Sequence, residues 1–207
     1  MGAQLDDLIT RGDFGSPGPL PRRQQVLKPV TLWTIGHSTR PWPEFLALLK
    51  AHAIGALADV RRFPGSRRHP HFGQESLDRS LRDSGMVYRH FPELGGRRQP
   101  RPGSANTAWR NAAFRGYADY MATADFKTGI KRLLELADSQ STAIMCAEAL
   151  WWQCHRGLIA DYLKAHGHTI LHINGASKTE AHPYTSAARL VSGRLSYATG
   201  ESELALD

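Results

Sequence analysis

Cysteine is scarce in this chain, with only Cys146 and Cys154 among 207 residues. A secreted chain of this size more often uses several distant cysteines as disulfide staples. Long hydrophobic runs are also missing, because no stretch of about 18 apolar residues is present to span a membrane. The first residues, MGAQLDDLITRGDFG, contain two aspartates and no apolar core, which does not fit a secretory signal. These absences predict a cytoplasmic protein in a reducing compartment.

Acidic residues are few: 19 Asp and Glu stand against 26 Lys and Arg, for a formal net charge of +7. Residues 61–115 contain twelve arginines, no lysine and four acids, so this stretch accounts for the whole positive excess. A solvated surface is the simpler interpretation of such a pattern. Arginine, however, suits forked recognition of phosphate. We therefore favour a polyanion, and DNA in particular, as the partner.

Short apolar runs alternate with helical patterns along most of the chain. Strands are predicted at 30–35, 56–60, 86–88, 142–146 and 169–173, and helices at about 41–54, 74–84, 114–122, 125–138 and 155–166. This alternation predicts a single α/β domain with a mainly parallel sheet of about five strands flanked by helices. Residues 1–29, rich in Gly and Pro, are interpreted as a flexible leader before the domain at 30–207. From about residue 174 the chain is polar and is expected to form a C-terminal extension outside the sheet.

Ligands of open parallel sheets bind at the carboxyl ends of the strands. That rule selects His37, Asp59 and Glu148 as candidate catalytic residues. A structural interpretation stays open for two of them: Asp59 could cap a turn or pair with Arg61, and His37 could bond only to backbone in a tight turn.

Nucleic-acid contacts are predicted from the same strand ends, from the arginine-rich loops and from the start of the last helix. The adjacent Trp151 and Trp152 should point in different directions, so that one packs and the other stacks on a base. Arg156 at a helix start could hold a phosphate. The full set is Ser38, Arg61, Arg62, Arg67, Arg68, Tyr88, Arg97, Arg98, Arg101, Trp151, Trp152, His155 and Arg156.

The segment with Cys146, Cys154 and His155 raises the question of a metal or a thiol centre. Its C-x₇-C-H spacing differs from the CxxC pairs of structural zinc sites, and no second ligand pair is visible, so no metal is predicted. A reactive thiol is the other possibility, since Cys154 at a helix start beside His155 and Arg156 should have a lowered pKa. No GxGxxG or Walker loop is present, and no cofactor is predicted.

Several motifs together resemble an uncharacterised bacterial family, domain of unknown function 488. They are TIGHS (34–38), ADVRRFPGSRRHPHF (58–72), Tyr88 with LGG (94–96), MCAE and CHR (145–156), and HIN (172–174). The resemblance extends from about residue 31 to 197. It implies a single α/β domain whose site lies in the TIGHS, DVR and CAE/CHR segments, and it implies no particular reaction.

The reaction is inferred from the few groups at the predicted edge of the sheet. Phosphodiester cleavage by two metal ions needs clustered carboxylates, and only Asp59 and Glu148 are expected there. Hydrolysis of an N-glycosidic bond needs fewer groups, and an enzyme acting on a base in a duplex must flip that base out. We therefore predict a metal-independent, DNA glycosylase-like hydrolase for a damaged or modified base, in repair or in antiviral defence. The alternatives are a thiol-dependent enzyme or redox sensor using both cysteines, and a non-catalytic nucleic-acid-binding module.

Overall fold

The computed structural model describes residues 28–65 and 68–200. The described residues form eight strands: β1 Thr31–Gly36, β2 Ala56–Asp59, β3 Val87–His90, β4 Thr142–Cys146, β5 Thr169–Gly175, β6 Lys178–Ala181, β7 Arg189–Val191 and β8 Arg194–Ser196. Five α-helices accompany them: α1 Trp42–Ala51, α2 Gln74–Asp83, α3 Ala112–Tyr120, α4 Ala124–Ser139 and α5 Arg156–Ala165. Apart from Lys28 and Pro29, the predicted leader lies outside the described residues.

The main sheet has six strands in the order β3-β2-β4-β1-β5-β6. The first five are parallel and β6 is antiparallel to β5. This confirms the predicted single α/β domain with a mainly parallel sheet flanked by helices. β1 and β2 end beside β4 in register, with Gly36 opposite Cys146 and Asp59 opposite Met145. The residues that follow these three strands therefore emerge at one edge.

Apolar side chains cover both faces of the sheet, as a parallel sheet requires. One face packs Ala58 and Ile144 against helices α4 and α5. The opposite face packs Leu57 and Ala143 against α1 and α2. The side chains of a strand alternate between its two faces, and both faces of this sheet are covered. All four residues of β2 are therefore buried.

The C-terminal region differs from the prediction, which gave the chain beyond residue 174 no place in the sheet. β6 forms an edge strand of the sheet, and β7 and β8 form a separate hairpin. β6 has the sequence KTEA and is exposed throughout, so it carried no hydrophobic signal. The hairpin turns at Ser192 and Gly193, which both have positive φ, as tight hairpin turns favour.

Length and hydropathy decide whether a helix can cross a membrane. None of the helices within the described residues is both long enough and apolar enough to cross a bilayer.

Candidate functional site

A cleft of about 880 Å³ opens at the carboxyl ends of β1, β2 and β4. Its walls come from the loops after these strands, from the loop after β3 and from the start of α3. The lining includes His37, Ser38, Arg61, Arg62, Phe63, Arg68, Gly96, Arg97, Phe114, Tyr117, Cys146, Glu148, Cys154 and His155. The predicted location at this edge of the sheet therefore coincides with a cavity among the described residues.

Backbone hydrogen bonds hold the loops after β1 and β4 together at the bottom of the cleft. The amide of His37 donates to the carbonyl of Cys146 at 3.0 Å, and the amide of Ser38 donates to that of Ala147 at 2.9 Å. Gly36 makes this approach possible, because a Cβ there would lie 1.9 Å from the carbonyl oxygen of Glu148. The glycine of TIGHS is thus needed for packing of the two loops.

Asp59 is fully buried and does not line the cleft. Its Oδ1 accepts from the Arg61 amide at 3.0 Å and from Arg61 Nε at 2.9 Å, while Oδ2 accepts from Arg61 Nη2 at 2.6 Å and from the Tyr88 hydroxyl at 2.8 Å. Both oxygens are therefore saturated. This geometry favours the structural interpretation of Asp59, as the ion-pair partner that positions Arg61 in the lining of the cleft.

His37 lines the cleft as a neutral imidazole. Burial, followed by the charge of Arg61, lowers the pKa of His37 to about 4. Its Nδ1 lies 2.9 Å from the carbonyl of Ser38, which can only accept, so the ring proton is on Nδ1. Its Nε2 faces Arg61 Nη1 at 3.3 Å and accepts from it. The ring also stacks on Phe72 at 4.2 Å between centroids.

Glu148 is the carboxylate among the predicted residues that faces solvent within the cleft. Its backbone is fixed by Arg156, whose Nη2 donates to the carbonyls of Glu148 and Ala149 at 2.9 and 3.2 Å. Arg156 itself is buried, with 1% of its surface exposed. The prediction that Arg156 holds a phosphate is therefore wrong, because its guanidinium orders the loop after β4 instead.

The predicted arginines divide into two groups. Arg62, Arg68 and Arg97 are exposed on the cleft walls. Arg98 instead lies over the ring of Tyr120 at 3.6 Å, and Arg101 lines a second cavity at the other side of α3. The remaining candidate of this group, Arg67, lies outside the described residues. Three arginines with free access to solvent thus line the cleft.

The aromatic residues are distributed differently from the prediction. Trp151 packs inside and stacks on His172 at 4.5 Å, and Trp152 is half exposed, as expected for adjacent residues. Neither tryptophan lines the cleft, and Tyr88 is buried against Asp59. Phe63, 68% exposed, is the aromatic side chain that projects at the cleft wall. It lies in the FPG segment between the arginines, where an apolar aromatic residue in a basic loop is the signal that marks it.

The floor of the cleft contains Cys146, Cys154 and His155. The two sulfurs are 3.0 Å apart, and His155 Nδ1 lies 3.5 Å from Cys154 Sγ and 3.9 Å from Cys146 Sγ. All three ligand atoms lie within 4.8 Å of one another. The spacing argument against a metal therefore does not hold, because the loop after β4 folds back and brings Cys154 over the end of the strand.

The two thiols differ in acidity. Burial opposes ionisation of Cys154, but the hydrogen bond shared with Cys146 and the charge of Arg156 outweigh it and lower the pKa of Cys154 to about 7. The hydrogen bond to Cys154 and then burial raise the pKa of Cys146 well above its usual range. Cys154 is thus the more acidic thiol of the pair, as its position at a helix start predicted.

Comparison of the sequence with known proteins assigns the chain to a family. No curated protein and no solved structure matches it significantly. A family model described as "Domain of unknown function DUF488" matches residues 41–163, which include the loops after β2, β3 and β4 that form most of the cleft. The match covers more than half of the chain and confirms the resemblance seen in the motifs. The chain therefore belongs to the DUF488 family.

Proposed function

We propose that this protein is a hydrolase that binds DNA in the cleft and cleaves the N-glycosidic bond of a modified or damaged base. The main support is the combination of one solvent-facing carboxylate, Glu148, with three exposed arginines on the walls of the same cleft. The volume of about 880 Å³ is in the range of small-molecule sites and leaves room for a base rotated out of a duplex.

The chemistry rests on Glu148. Its carboxylate would orient a water or stabilise the positive charge that develops on the sugar as the bond to the base breaks. His37 is unsuited to protonating the departing base, because Nδ1–H is committed to Ser38 and Nε2 accepts from Arg61. One of the three exposed wall arginines is then the donor available to the base, which leaves at least two of them for phosphate. Asp59 acts indirectly, by holding Arg61.

The exposed arginines of the cleft walls, Arg62, Arg68 and Arg97, would bind the DNA phosphates. Each phosphate contact with duplex DNA adds about −0.9 to the slope of log affinity against log salt. Replacing all three by Ala should therefore make that slope shallower by roughly 2 to 3. The control variant replaces Lys50, Arg79 and Lys131 by Ala. It removes the same three positive charges, but from exposed positions outside the cleft. Equal slopes for the two triple variants would contradict DNA binding in the cleft.

The activity test measures abasic sites in duplexes that carry different modified bases. With a duplex that reacts, Glu148→Gln should lower the single-turnover rate by about 100-fold or more, the range for a positioned catalytic acid or base. Glu135→Gln is the matched control, since Glu135 is exposed on α4 and pairs with Lys131. No abasic sites with any duplex, together with tight salt-dependent binding, would favour a non-catalytic DNA-binding module.

A thiol-dependent enzyme or redox sensor is the second candidate, supported by the 3.0 Å separation of the two sulfurs. In that case the thiols would pass two electrons and two protons to an oxidised substrate, such as a disulfide or a peroxide, and would form a disulfide. Unchanged base release by a Cys146→Ser, Cys154→Ser double variant would exclude the thiols from the glycosidic reaction.

A further inference from the structure

The three ligand atoms at the cleft floor have nearly the spacing of a tetrahedral zinc site. Bonds of about 2.3 Å to sulfur and about 2.0 Å to nitrogen place ligand atoms roughly 3.5 Å apart for a sulfur–nitrogen pair and roughly 3.8 Å apart for a sulfur pair. The observed distances from His155 Nδ1 to the sulfurs are 3.5 and 3.9 Å. The sulfurs, at 3.0 Å, need to move apart by about 0.8 Å to reach the separation expected around zinc.

The orientation of His155 also fits a ligand. Its Nε2 lies 3.0 Å from the carbonyl oxygen of Val60, which can only accept, so Nε2 carries the proton. The lone pair of Nδ1 then points toward the two sulfurs. A backbone carbonyl that fixes the ring in this way is a usual partner of metal-bound histidine. The amide of Arg156, 3.5 Å from Cys154 Sγ, adds a donor to that sulfur.

The surroundings leave room beside Nδ1. Gly96, in the loop after β3, passes so close to His155 that a Cβ there would lie 2.9 Å from Nδ1. Any larger residue would occupy the space next to the ligand atom. All three side chains also line the cleft, so a bound ion would face its interior.

From this geometry we propose that Cys146, Cys154 and His155 bind one Zn²⁺ ion at the floor of the cleft, with the fourth coordination position open to water or substrate. Two thiolates neutralise the charge of the ion, and a soft donor set of two sulfurs and one imidazole selects zinc over magnesium or calcium. Three protein ligands with one open position are the pattern of catalytic zinc sites. The ion would supply a Lewis acid at the place where the arginines deliver an anionic substrate.

The test is direct metal analysis of the full chain without an affinity tag. The protein is reduced, loaded with Zn²⁺, desalted and measured for zinc, and a second sample is loaded with Co²⁺. We expect one zinc per chain after desalting. The cobalt form should show a thiolate-to-metal charge-transfer band and the intense visible bands of a four-coordinate ion. Less than a tenth of an equivalent of zinc, with cobalt giving only the weak spectrum of the hydrated ion, would overturn the proposal.

Variants identify the ligands. Cys146→Ser, Cys154→Ser and His155→Gln should each lower zinc affinity at least about 100-fold in competition with a chromophoric chelator, because each removes one of three protein ligands. His166→Gln is the control, since His166 is exposed just after α5 and its Nδ1 lies 2.7 Å from the carbonyl oxygen of Tyr162, away from the cleft. Circular dichroism shows whether each variant is folded. If a variant does not fold, the cobalt spectrum of the unaltered chain still shows whether thiolates bind the metal.

Two other outcomes would count against the proposal. Zinc that survives all three ligand substitutions is bound elsewhere. A chain that takes up no zinc when reduced, and forms a Cys146–Cys154 disulfide under mild oxidation, has a redox-active thiol pair instead. None of these measurements uses DNA, so the zinc proposal and the glycosidic reaction can fail independently of each other.

Discussion

Replacing Asp59 by Asn should destabilise the protein strongly, because the carboxylate is the buried partner of Arg61. Asp59 is 0% exposed and Arg61 6%, and the carboxylate accepts four hydrogen bonds from Arg61 and Tyr88. An amide can accept at only one of the two oxygen positions, so its NH₂ group meets donors at the other. Removing one partner of a buried ion pair costs about 3–5 kcal/mol.

For a chain of this length, 1 kcal/mol lowers the melting temperature by about 2–4 °C, so we expect a decrease of roughly 6–20 °C. Urea unfolding followed by circular dichroism measures the same loss as a free energy. Asp78→Asn is the matched control, because its pair with Arg82 lies on the exposed face of α2 and is worth about 0.5 kcal/mol. An Asp59→Leu, Arg61→Met double variant should recover part of the loss, since no charge is then left buried.

A melting temperature of Asp59→Asn equal to that of the control would refute the structural role. If the variant were also stable but inactive in base release, Asp59 would return as a catalytic carboxylate, as its position at a strand end had predicted. Loss of stability with a near-normal rate per folded molecule would instead leave Glu148 as the carboxylate that acts on the substrate.

Three further predictions concern the rest of the fold. Burial, followed by the charges of His182 and Arg156, lowers the pKa of His172 to about 3. The free energy of unfolding should therefore decrease as the pH falls below 6.5, by about 1.4 kcal/mol per pH unit for this group, because the unfolded chain takes up a proton that the folded chain does not. Equal urea midpoints at pH 7.5 and 5.5 would contradict this. Gly36→Ala should cost about 1–3 kcal/mol in thermal unfolding, because the new methyl group overlaps the Glu148 carbonyl, whereas Gly55→Ala, with its nearest neighbour at 3.5 Å, should be almost neutral. Asp161 accepts hydrogen bonds from His182, Thr185 and Tyr197, which flank the hairpin of β7 and β8. Asp161→Asn should therefore loosen this hairpin, and trypsin should cleave within it faster than in the unaltered chain.

The sequence by itself determined the architecture and the edge of the sheet where a site could lie. Buried parallel strands are short continuous apolar runs, and β4 was predicted at 142–146, where the structure has it. The polar residues just after such runs must emerge at one edge, because parallel strands share their direction. The side-chain pattern did not predict β6. This strand is polar and exposed, and it joins the sheet through backbone hydrogen bonds, which do not depend on apolar side chains.

Only the tertiary structure decided which of the residues at that edge face the cleft. Asp59 and Glu148 look alike in the sequence, yet one is saturated beneath Arg61 and the other faces solvent. Cys146, Cys154 and His155 have an uninformative spacing, and the return of one loop brings their ligand atoms together. The physical reason is the same in both cases. A periodic pattern reports which side of an element is apolar, whereas the path of a loop depends on long-range contacts, such as the buried Arg156 guanidinium that holds the carbonyls of the loop after β4.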